Sequence, residues 1–91
     1  MKVEWAEDGR AHLARIFEFN IGRSEAWAET VERRLRERAH ALSLTSFIGR
    51  PVPKSTLRAL SIPDIQYVII YRVGREQVTI LRVHSTRENR A

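Results

Sequence analysis

The chain has no cysteine among its 91 residues, which excludes a disulfide framework and a thiolate metal site and suits a reducing compartment. Long hydrophobic runs are missing too. The longest, Tyr67 to Tyr71, is far short of the roughly 20 residues of a membrane span, and the N-terminus has no signal-peptide apolar core. These absences point to the cytoplasm and to no membrane partner. There are no repeats or low-complexity tracts, and the length suits one domain, residues 1–91, with one modest core. No His, Asp and Glu cluster has ligand spacing, so neither metal nor cofactor is expected.

Charge is present in excess, and on one side. Residues 1–45 hold eight Lys/Arg and eight Asp/Glu, whereas residues 46–91 hold eight and three, so the net +5 belongs to the second half. Such a field favours an acidic partner, either nucleic acid or polypeptide. Solubility alone is the bland alternative.

The second half is also the strand half. In Leu57–Arg87, residues Ile65, Tyr67, Ile69, Tyr71 and Val73 share one face of an extended segment, and Val68 and Ile70 keep the other apolar. A strand apolar on both sides belongs at the centre of its sheet. Gly74-Arg75 then reads as a tight link, and Glu76–His84 as the return strand of an antiparallel hairpin. Uninterrupted alternation would put Thr79, Leu81 and Val83 on one face and Val78, Ile80, Arg82 and His84 on the other. Leu57–Ile62 is a third strand, closed by Pro63-Asp64.

The first half is helical apart from a short strand over Lys2–Trp5. Asp8 is the expected N-cap of a helix whose apolar stripe is Leu13, Ile16, Phe17 and Ile21, with Gly22 as its terminator. Ser24 caps a second helix, from Glu25 to about Leu44, with Ala28, Val31, Leu35, Ala39 and Leu42 inward. Glu29 before Arg33 and Glu32 before Arg36 fit its solvated face. Trp27, Tyr67 and Tyr71 read as packing residues, and His12 and His40 as surface residues. Thr45–Thr56, with Gly49, Pro51 and Pro53, is a basic loop carrying Arg50 and Lys54. The expected fold is α+β, a short N-terminal strand and an α-helical hairpin packed on an antiparallel sheet, in the order β-α-α-β-β-β.

This order, with Phe47-Ile48-Gly49-Arg50-Pro51, Arg58-Ala59-Leu60, the run from Tyr67 to Val73 and the run from Ile80 to Arg87, resembles the ParE branch of the RelE/ParE toxin superfamily. The resemblance covers nearly the whole chain. It implies a bacterial type II toxin held inactive by a cognate antitoxin, and for ParE-like members inhibition of DNA gyrase by stabilising its cleaved DNA complex. The antitoxin would be an acidic segment that adds to a sheet edge or lies on the helical hairpin.

RelE-like members instead cut messenger RNA on the ribosome, using a Lys/Arg cluster and a C-terminal tyrosine. Arg87 matches the final-strand arginine of that pattern. Val68 stands where an arginine is expected three residues before Tyr71, and the sequence stops at Ala91 without the tyrosine. His84 has no orienting acid, because Glu76 is at the far end of its strand and Glu88 is in the tail. The expectation is therefore a toxin with no catalytic residue. A ribosome-dependent nuclease and an inactive binding module are the alternatives. Candidate target contacts are Arg58, Arg82, His84 and Arg87, with Arg50 and Lys54 as loop contacts to antitoxin or target. The mixed charges of the second helix do not suit base reading, so no direct sequence-specific DNA binding is expected.

Overall fold

The strand apolar on both faces does take the centre. In the computed structural model, which describes residues 1–89 in backbone and 1–87 in side chains, five strands lie in the order β1-β5-β4-β3-β2. They are β1 (Lys2–Trp5), β2 (Arg50–Pro51), β3 (Leu57–Ile62), β4 (Tyr67–Val73) and β5 (Gln77–Ser85). The helical hairpin of α1 (Glu7–Ile21) and α2 (Glu25–Ala41) separates β1 from the rest. The side chain of Glu88 and the whole of Ala91 lie outside the described residues.

Two features depart from the antiparallel expectation. β1 pairs with β5 in parallel, so the sheet is mixed. The basic loop also contains β2, two residues that pair with Arg58 and Ala59 of β3. A strand ending in Pro51 suits a sheet edge, where the missing N–H is not needed by a neighbour.

The helices start and stop for local reasons. Ser24 accepts a hydrogen bond from the Trp27 N–H and caps α2. Helix α1 begins at Glu7 rather than after Asp8, because the Ala6 N–H donates to Ile80 O at 2.8 Å and fixes the chain there. Asp8 sits in the first turn instead, where a carboxylate faces the positive end of the helix dipole. The inward stripe of α2 is fully buried, from Ala28 through Val31, Leu35 and Ala39 to Leu42, as its 3.6-residue spacing requires. On α1 the inward position falls to Asn20, not Ile21, which is exposed. Trp27 packs against the core from its rim. On the solvated face of α2, Arg36 pairs with Glu32 as expected, while Arg33 reaches forward to Glu37.

A bulge in β5 overturns the simple alternation. Ile80 faces Tyr71 and Arg82 faces Ile70, which leaves Leu81 as the extra residue. Past it the faces exchange, so Val83 joins Val78 and Ile80 in the core and Arg82 turns outward. One inserted residue reverses every later side chain.

Two buried tyrosines carry polar anchors. The Tyr71 hydroxyl accepts from the Gly49 N–H and donates to Ser46 O, both at 2.8 Å, and holds the α2–β2 loop onto the sheet. Gly49 is required there, since a Cβ would lie 2.6 Å from that hydroxyl oxygen. The Tyr67 hydroxyl accepts from Asn20 Nδ2 at 3.1 Å, tying β4 to α1. At the surface, Arg34 of α2 forks onto Asp64 of the β3–β4 turn through Nε (2.7 Å) and Nη2 (3.1 Å).

Removing the Tyr71 hydroxyl leaves a buried N–H and a carbonyl without their partner. Tyr71→Phe is expected to cost about 1–3 kcal/mol in urea unfolding; an unchanged midpoint would show that the loop does not depend on this anchor. The Arg34 fork holds the Asp64 carboxyl below its ordinary range. Its stabilisation is therefore complete above the unfolded carboxyl value, about pH 4, and is lost as the pH falls through the lower folded value. Asp64→Asn is expected to unfold at a lower temperature at pH 7 and to lose less stability on acidification than the unmodified chain. Parallel acid limbs for the two proteins would count against the pairing.

Candidate functional site

The bulge at Leu81 coincides with the end of β1. Beyond Ile80, β5 has no strand on its outer side, and α1 takes that place. The helix approaches closely because Gly9 has no side chain; a Cβ there would sit 2.7 Å from Ile80 O. One turn later His12, half-buried, faces the uncovered edge, and the Val83 N–H donates to its Nδ1 at 3.2 Å. A side chain thus does the work of a missing strand, satisfying an edge amide that would otherwise lack a partner.

Between α1 and this end of β5 lies a half-open groove of about 740 Å³. Among the described residues its basic side chains are His12, Arg15 and Arg23 from the helical side and His84 and Arg87 from the strand side, and no Asp or Glu lines it. Ile16, Val83 and Tyr67 supply the apolar wall, and Phe19 stands at the rim with 62% of its surface exposed. The rings of His12 and His84 are tilted, 5.7 Å apart between centroids.

Hydrogen bonding within this wall engages the acceptor of His12. Because His12 Nδ1 accepts from Val83, a neutral His12 carries its proton on Nε2. The Tyr67 oxygen accepts from Asn20, so its own hydrogen is left to donate. The guanidinium groups have donors only. A general base needs an available lone pair, and that of His12 is already engaged.

The six residues singled out from the sequence do not converge. His84 and Arg87 line the groove. Arg82, immediately past the bulge, instead shares a shallow depression with Glu7 and Asp8, which offset its charge. Arg58 belongs to the α2–β2 loop anchor: Nε donates to Gly49 O at 2.9 Å, Nη2 to Phe47 O at 3.3 Å, and the guanidinium lies 5.0 Å from the Phe47 ring centre. It is two strands away from β5. Arg50 is exposed on β2, and Lys54 is exposed in the turn after it, at the positive φ of 60°.

Sequence reasoning missed His12, Arg15 and Arg23. His12 is no ordinary surface residue, since its ring nitrogen completes the edge of β5. A signal was available, because His12, Ile16, Phe19 and Arg23 recur at steps of four, three and four residues, the spacing of a single helix face. His40 is exposed on α2, as expected.

Comparison with known proteins agrees with this architecture. A chain described as "Chromosomal ParDE TA system from P. aeruginosa" superposes with a TM-score of 0.83 at 20% identity, covering 93% of this chain and 95% of that one. No curated protein sequence matches this chain. The sequence model of the family described as ParE toxin of type II toxin-antitoxin system, parDE, matches residues 3–90. The chain therefore belongs to the ParE toxin family of type II toxin-antitoxin systems.

Proposed function

We propose that this toxin acts in the cytoplasm as a single domain, without catalysis, by binding DNA gyrase and stabilising its cleaved DNA complex, and that a cognate antitoxin neutralises it. The observation that carries the non-catalytic reading is the Val83 N–H to His12 bond, which occupies the nitrogen a base would use. Val68, where the RNA-cutting branch is expected to have an arginine, is buried and apolar. The groove is lined by basic side chains, and the His12 lone pair is engaged by Val83, which favours holding an anionic partner over cutting it.

Features of the surface support an antitoxin. The sheet keeps an uncovered stretch along β3, because β2 pairs only with Arg58 and Ala59 and leaves Leu60 to Ile62 beyond it. An extended segment pairing there would gain main-chain hydrogen bonds, and acidic side chains on it would meet the basic half of the chain. The exposed Phe47, Ile48 and Leu44 beside β2 offer apolar contact for the same segment.

Purified toxin added to gyrase and relaxed plasmid is expected to stop supercoiling and to accumulate linear DNA after detergent and protease. Adding antitoxin in equal amount is expected to restore supercoiling. Arg87→Ala and His84→Ala, both in the groove, are expected to weaken inhibition several-fold if target contact is made there. Undisturbed supercoiling by folded toxin would remove gyrase as the direct target. Cut messages on ribosomes, abolished by Arg87→Ala, would replace this reading with nuclease action.

A further inference from the structure

The groove wall alternates basic side chains and an aromatic ring. Along α1 and into the following turn, Arg15, Phe19 and Arg23 are each four residues apart, about one helical turn, so the stripe extends for roughly 12 Å. Arg87 faces them from the strand side. Phe19 is the most exposed aromatic ring but one, at 62%, on a helix whose Leu13 turns inward, and in sequence it falls midway between Arg15 and Arg23, which line the same groove.

We propose that this groove binds single-stranded nucleic acid, with Arg15, Arg23 and Arg87 on the phosphodiester backbone and a base stacked on Phe19. Phosphate oxygens only accept hydrogen bonds, and the groove is lined by donors: the guanidinium groups and His12 Nε2–H. Among the described residues no carboxylate lines the groove. A polypeptide strand is the poorer occupant. Pairing with the outer edge of β5 would need the Val83 N–H, which His12 already holds. Stacking and backbone charge do not distinguish sequences, so binding is sequence-tolerant.

The proposal stands apart from the gyrase reading, and its test contains no gyrase. A fluorescein-labelled oligothymidylate is titrated with the toxin and followed by anisotropy over a salt series. Phe19→Ala is expected to weaken binding about five- to a hundredfold. Removing both Arg23 and Arg87 as glutamines is expected to flatten the plot of log affinity against log salt by about 0.7 per arginine. Arg33→Gln, on the outer face of α2, is expected to leave the affinity where it was. Urea midpoints of the variants establish that they fold, and Phe19→Ala serves alone if the double variant does not. Absence of binding at about 50 mM salt, an equal loss from Arg33→Gln, or displacement of the oligonucleotide by polyglutamate at matching concentration would each overturn the proposal; the last would assign the groove to acidic polypeptide.

Discussion

The close approach of α1 to the backbone of β5 is the constraint on which the rest of the site depends. Parallel β1 can cover β5 only as far as Ile80, where Ala6 donates its N–H and the chain turns into helix. An uncovered strand edge is a liability, because its amides are a template for any passing strand. Here the helix replaces the strand: Gly9 lets it come within contact distance, and His12 receives the Val83 amide. The bulge at Leu81 sits at the same junction and turns Val83 inward and Arg82 outward. Architecture and electrostatics of the groove follow from a single change of partner along β5.

The opposite end of the sheet is held by a second device of the same kind, with side chains standing in for regular structure. Tyr71 receives one loop amide and donates to one loop carbonyl, and Arg58 donates to two further carbonyls of the same loop. Thr45–Thr56 is therefore held by contacts with strands as well as by its own turns, and it contributes β2. Arg58 is consequently committed to structure. An arginine on a basic sheet is as readily a clamp for backbone carbonyls as a contact for an anion, and composition does not separate the two roles.

The two histidine-bearing elements meet only in the fold. His12 and His84 are 72 positions apart in sequence, and their rings come to 5.7 Å. The Val83 N–H engages the Nδ1 lone pair of one of them, His12. The groove around them is lined by the basic side chains of Arg15, Arg23 and Arg87, which suit an anion. Fold alone would not have given this, since function resides in the site.

The sequence by itself determined the element types and their centre. Side-chain periodicity records burial directly, so the inward stripe of α2, the two-sided apolar β4, the Ser24 cap and the order of elements were all legible. Packing tyrosines were legible for the same reason. Only the tertiary structure decided the parallel joining of β1 to β5, the bulge at Leu81, and the exchange of Asn20 for Ile21 on the inward face of α1. Each of these depends on which strand lies alongside which, and no local pattern carries that information. The same holds for the candidate site. His84 and Arg87 could be picked out as basic residues near the end of a strand, but Arg58 and Arg82 look identical to them in one dimension. Their separation into clamp, offset charge and groove lining arises from contacts made across 9 to 71 residues of chain.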